Sequence, residues 1–342
     1  MAAQRPLNER AITMTGVMLG EPVGALYAER YFPADYKETV NTMIGYIVAE
    51  YRDRFKSNEW MDDKTRAEAL AKLDMVVSHI GYPDRYHDYS SLRISPTGLV
   101  GNVRRRMAWA HDDALARLKE PTRKWEWPFN VQAINAGYVA SLNSITFPGG
   151  ILQPPFFHPD GDVAVNFGSI GAVIGHELGH AFDDQGKTYD GTGKIRNWWT
   201  DESEKRFRER TAQLVEQFNS YAPIEGEHVN GALTLGENIG DLGGLTVGYA
   251  AYRRYVRDKQ GGKAPVIDGF TGDQRFFLSW GQLWRNLSTP AEIRRRLVAD
   301  VHSPGEFRAN GAVRNVDGWY EAFSVGPDDD LYIPPEQRVH IW

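Results

Sequence analysis

The residues most able to do chemistry lie in Gly175-His176-Glu177-Leu178-Gly179-His180, a His-Glu-x-x-His pattern inside the apolar stretch 163–182. Positions four apart share one helix face about 6 Å apart along the axis, so two imidazoles can meet one ion while the carboxylate beside the first flanks it. Neutral imidazoles hold zinc without cancelling its charge, which leaves the ion acidic enough to bring water to a pKa near ~7. The alternative, two core histidines and an unpaired buried carboxylate, carries a desolvation penalty of several kcal/mol. The spacing therefore predicts a zinc-binding helix with Glu177 as general base. Gly171, Gly175 and Gly179 form a bare stripe beside it, suited to close packing of a neighbouring helix.

Three and six residues after His180 stand Asp183 and Gly186 where the metzincin pattern has glycine and histidine, so that subclass is excluded. A third ligand must come from another segment. The best candidate is Gly236-Glu237-Asn238-Ile239-Gly240-Asp241, which opens a second apolar helix with Glu237 and Asp241 on one face. Glu237 would complete a two-His, one-Glu site, and Asp241 could hydrogen-bond the far nitrogen of a ligand imidazole. Asp183 could do the same for the other ring. From spacing alone, an equally good reading makes Glu237 and Asp241 helix-start carboxylates favoured by the dipole.

The elements that must position these groups follow from apolar periodicity. It predicts helices over 20–56 with a break at Pro33, over 62–77 after a cap at Asp62 or Asp63, and over 99–118. Short strands are expected within 131–139 and 144–147, and proline and glycine make 147–157 a rigid loop. Helices resume at 167–184, 202–221, 233–257, 272–287 and 291–299, followed by an irregular tail.

The 342 residues are 42% hydrophobic and 12% aromatic, enough for a sizeable core and unlike a disordered chain. Forty-five acidic against 39 basic residues give a net charge of −6, with no electrostatic footprint for nucleic acid or an anionic bilayer. With no cysteine, any metal must be held by histidines and carboxylates. There is no run of about eighteen apolar residues and no basic-then-apolar leader, so no membrane segment is expected. The chain reads as soluble, cytoplasmic as written, or periplasmic or secreted if an upstream signal or partner is missing.

The run 173–186 together with 236–241 closely resembles the neprilysin and endothelin-converting-enzyme family of zinc endopeptidases, including bacterial PepO-type oligopeptidases. Asn135-Ala136-Gly137-Tyr138, the loop 145–157 and His302-Ser303-Pro304-Gly305-Glu306-Phe307-Arg308 agree with it, and the likeness extends over 21–342. The resemblance implies an α+β, mainly α fold: a thermolysin-like zincin catalytic domain with a small sheet at 129–342. Before it, 1–128 would be long helices from a truncated second lobe and its linker.

The resemblance also implies one Zn2+ per chain, with His176, His180 and Glu237 as ligands and Glu177 as base and proton shuttle. Asp241 and Asp183 would orient the imidazoles. His302 would stabilise the oxyanion and Arg308 would grip a peptide carbonyl. Asn135 and the backbone of Ala136 would hold the substrate as an added strand. Ile151, Phe156, Val173, Leu283 and Trp284 would form the apolar pocket for the residue after the scissile bond. The implied partners are peptide substrates. The alternative is a zinc-containing peptide-binding protein, inactive until a second chain or oligomer completes the lobe. Gly137, Gly149 and Gly240 replace larger residues usual in the family and are expected to loosen the backbone; the family's cysteines and its long upstream region, with substrate-binding arginines, have no counterpart.

Overall fold

In the computed structural model, which describes residues 4–342, the chain opens with α1 (Leu7–Tyr31) and α2 (Ala34–Ser57). Pro33, at the N-cap of α2, has no N–H to continue the preceding helix, so the predicted break is present. Helix α1 reaches back well before residue 20, with Leu19 out of helical geometry ahead of Pro22. Helix α2 turns Val40, Met43, Ile44, Ile47, Tyr51 and Phe55 inward at three- and four-residue spacing. Helix α3 (Asp63–Asp74) starts where Asp62 accepts the Thr65 N–H at 2.7 Å.

Next come β1 (Val77–Gly81), α4 (Leu99–Arg117), β2 (Gly137–Val139) and β3 (Ser144–Pro148). The sheet order is β1-β3-β2, with β1 parallel and β2 antiparallel to β3. Strand β1 is a correction, since helical sequence alone was expected up to 128. Its register pairs Val77 with Ser144, and a parallel partner so far along the chain leaves no local signature. Of 131–139 only the last three residues are strand; the preceding residues are spent in turns, where Val131 O accepts the Gly150 N–H.

Helix α5 (Val163–Asn166), a wider π turn over Phe167–Gly171, and α6 (Ala172–Gly179) follow one another without a gap. Helix α6 ends at Gly179 with His180 as its C-cap, several residues short of 184. Helices α7 (Asp201–Asn219), α8 (Leu235–Lys259), α9 (Gly272–Leu283) and α10 (Pro290–Ala299) occupy the expected periodic segments. The tail is not irregular throughout. It contains α11 (Gly305–Val313) and α12 (Asp317–Phe323), both too short to display a helical period.

The architecture is mainly α with a small mixed sheet, as expected. One core runs through it: Tyr51 and Phe55 of α2 pack on Phe182, just beyond α6, and Phe55 and Phe182 meet Trp342. At its centre α6 crosses α8, and the Tyr51 hydroxyl donates to Gly175 O at 2.8 Å.

Candidate active site

Glycine sets how closely α6 and α8 approach. A methyl on Gly244 would lie 2.4 Å from Ala172 O and 2.5 Å from His176 N, so the helices touch backbone to backbone. At Gly240 a methyl would lie 2.7 Å from His176 Nδ1. That glycine, expected to loosen the chain, instead gives room to the imidazole. The crossing brings the first two turns of α8, with Glu237 and Asp241, against the histidine face of α6.

His176 Nδ1 is 2.9 Å from Asp241 Oδ1, and His180 Nδ1 is 2.7 Å from Asp183 Oδ2. Carboxylates accept and do not donate, so each ring keeps a proton on Nδ1 and turns Nε2 toward a common point. The two Nε2 atoms are 3.0 Å apart. Glu237 Oε2 lies 3.2 Å from His176 Nε2, and Oε1 lies 3.8 Å from His180 Nε2. Oε2 is buried yet takes no well-formed hydrogen bond. Two ring nitrogens and an unsatisfied carboxylate oxygen thus converge, and one ligand atom from each residue falls within 4.8 Å of the others. This donor set fits zinc, for which His176, His180 and Glu237 would supply the protein ligands.

The electrostatics agree with a cation site. Burial opposes charge on His176, but contact with Asp241 and Glu237 outweighs it and raises the imidazole to about 10. His180 is also raised, with Asp183 overcoming burial and the neighbouring His176. Glu237 and Asp241 are held below the ordinary carboxyl range despite burial, the first by His176 and His302 and the second chiefly by Arg308.

Above these atoms opens a cavity of about 380 Å³, lined among others by Glu177 and Val173 of α6. Glu177 is adjacent to His176 and only 7% exposed. Asn135 and Ala136 reach the cavity just before β2, which is an edge strand of the sheet. Ile151, Phe156 and Trp284 line it as well, and Leu283 is not among its lining residues. Trp280, not singled out from the sequence, lines the cavity too, in an ordinary apolar pattern that gives no signal of it, and so does Tyr138, the last residue of the Asn135–Tyr138 motif.

His302 Nε2 is 3.1 Å from Glu237 Oε2, and contact with Glu237 raises this imidazole. Sequence reasoning missed its partner Asp300, although the Asp-Val-His spacing was there to read. Arg308 forks onto Asp241, Nε to Oδ2 and Nη2 to Oδ1, both at 2.7 Å, and stacks 3.8 Å above the Trp284 ring centre. Its first function in this structure is therefore to hold Asp241, which in turn holds His176.

Fold and site together are zincin-like: a His-Glu-x-x-His helix crossed by a glutamate-bearing helix under a cleft. The chain belongs to peptidase family M13, whose models match residues 135–339 and 1–83. It is 35% identical to endothelin-converting enzyme 1 of Bos taurus, across 95% of this chain and 44% of that one. Against neprilysin-1 of Caenorhabditis elegans the identity is 34%, across 99% and 46%. Among solved structures, the Mycobacterium tuberculosis zinc metalloprotease Zmp1 in complex with inhibitor matches with a TM-score of 0.92 at 46% identity, covering 99% of this chain and 52% of that one. PepO from Lactobacillus rhamnosis matches with a TM-score of 0.89 at 32% identity, covering 98% and 51%. The chain spans about half the length of these relatives.

Proposed function

We propose that this chain carries the catalytic centre of a zinc endopeptidase, with one Zn2+ per chain and residues 129–342 as the catalytic domain. The supporting observation is the meeting of His176, His180 and Glu237 at the floor of a cavity that also holds Glu177, His302 and Arg308. Bound zinc would supply Lewis acidity to an attacking water and a scissile carbonyl. Glu177 takes the proton from that water and returns it to the leaving amine. His302, whose imidazole is raised by contact with Glu237, donates to the oxyanion as it develops. Asp241 and Asp183 keep the ligand imidazoles in one tautomer, and Arg308 fixes Asp241 while offering Nη1 to a peptide carbonyl.

Asn135 and the Ala136 backbone hold the peptide along the free edge of β2. Ile151, Phe156, Val173 and Trp284 receive an apolar side chain from the residue after the scissile bond. Glu177→Gln tests the base directly: cleavage of a quenched peptide library should fall by about 10²–10⁴-fold while zinc content stays at wild type. Undiminished turnover would remove Glu177 from the reaction.

A second reading is a zinc-containing peptide-binding protein, inactive until a second chain or an oligomer completes the lobe. Chelator-sensitive cleavage by a monomer, resolved by size-exclusion chromatography, would dismiss it. Among the described residues no helix is long and apolar enough to cross a membrane.

A further inference from the structure

Lys72, on α3, is only 2% exposed. Its Nζ donates to Ala181 O at 2.6 Å, Gly186 O at 2.8 Å and Tyr189 O at 2.7 Å. An ammonium has three N–H groups, so these carbonyls use its whole donor capacity. Tyr138, Phe182 and Trp198 surround it with ring centres at 5.7–5.8 Å, and among the described residues no carboxylate pairs with it. Burying a charge without an ion pair is costly, and an apolar side chain of the same length would fill the space without that cost. What the lysine adds is the three-point attachment.

All three carbonyls belong to the loop that leaves α6, and Asp183 lies inside that loop. Asp183 Oδ1 accepts the backbone N–H groups of Gln185 at 2.8 Å and Gly186 at 2.7 Å, while Oδ2 holds His180 Nδ1. Gly186 is therefore gripped from two sides, its N–H by Asp183 and its carbonyl by Lys72. A methyl there would overlap His180 O, so the loop also folds tightly back on the ligand residue. Asn143 closes the arrangement from behind, donating to Lys72 O at 3.1 Å and Gly191 O at 3.2 Å.

We propose that Lys72 is a positioning residue for the metal site: it fixes the loop 181–189, the loop aims Asp183, and Asp183 sets the plane and tautomer of the His180 ring. This rests on the reading of His176, His180 and Glu237 as metal ligands. Without the ammonium, Ala181 O loses its donor while Gly186 O and Tyr189 O keep only the Tyr189 N–H and the Trp198 Nε1–H, so the loop must open to hydrate the freed acceptors. The His180 ring then loses its fixed orientation even though no ligand atom has been altered.

The test compares wild type, Lys72→Met, Lys72→Gln and Asp62→Ala, all as the full chain, by zinc competition with a chromophoric chelator and by thermal melting. Lys72→Met should weaken zinc binding on the order of 10–100-fold, the scale of other losses in the shell behind metal ligands. It should also abolish the slowly exchanging Nδ1 proton of His180 in the NMR spectrum. Asp62→Ala uncaps the same helix, so it should lower Tm and leave zinc affinity unchanged. If Lys72→Met does not fold, Lys72→Gln retains two N–H donors and should show a smaller loss of affinity. A folded Lys72 variant with lowered Tm and wild-type zinc affinity overturns the proposal and leaves Lys72 a purely stabilising role. Wild-type protein that takes up no zinc is a separate failure, of the metal-site reading itself, and overturns the proposal with it.

Discussion

Asp300 holds His302 at two points: its Oδ1 accepts the His302 backbone N–H at 2.9 Å and lies 2.9 Å from the ring Nδ1. One carboxylate thus fixes both the position and the proton of an imidazole that faces the cleft. Asp300→Asn should lower kcat about tenfold, equivalent to ~1.4 kcal/mol of transition-state stabilisation, with little change in KM. His302 is raised by its carboxylate neighbours, so losing one lowers it, and the alkaline fall in activity should move to lower pH. Identical pH–rate profiles would take the pair out of the chemistry.

The α6–α8 crossing gives a second expectation. At Gly244 the atoms in the way of a methyl are backbone, Ala172 O and His176 N, and neither can rotate aside. Gly244→Ala should therefore push the helices apart, cost about 1–3 kcal/mol or more in urea denaturation, and weaken zinc binding by carrying Glu237 away from the imidazoles. An unchanged urea midpoint would contradict the contact.

Zinc uptake should release protons. His176 is raised to about 10, so at neutral pH the metal-free site retains a proton on the imidazole that the ion must displace. Affinity should accordingly rise with pH, by about tenfold per unit for each proton released, from mildly acid to mildly alkaline solution. Titration calorimetry in buffers of different ionisation heat counts the protons, and heats independent of buffer would contradict the expectation.

Acid stability has a contributor remote from the cleft. The Thr192 hydroxyl, then Arg196 and the N–H groups of Thr192 and Lys194, hold Asp190 well below the usual carboxyl range. A depressed folded value stabilises fully above the unfolded pKa of ~3.9 and is lost as pH falls toward the folded one. Asp190→Asn should cost about 1 kcal/mol at neutral pH after allowance for solvent screening, and the gap from wild type should narrow in strong acid. Urea midpoints at the two pH values decide it; a constant gap would assign the stabilisation to uncharged hydrogen bonds.

His176, Glu177 and His180 were legible because a helix repeats every 3.6 residues, so a four-residue spacing is already a statement about one face. The glycine stripe of α6 was legible as a packing surface for the same reason. Glu237 and Asp241 were different: their own spacing fitted helix-start carboxylates as well as ligands, and family likeness favoured one reading. Only the backbone contact between α6 and α8 sets those carboxylates beside the imidazoles. Arg308 had to fold onto Asp241 before it could be placed. Lys72 and β1 gave no sign at all, because their partners are backbone groups far along the chain and backbone has no letter in the sequence. Local periodicity thus determined which residues could bind a metal and act as a base. Long-range packing decided which carboxylates reach them, since the position of a side chain on its own helix says nothing about what another helix brings against it.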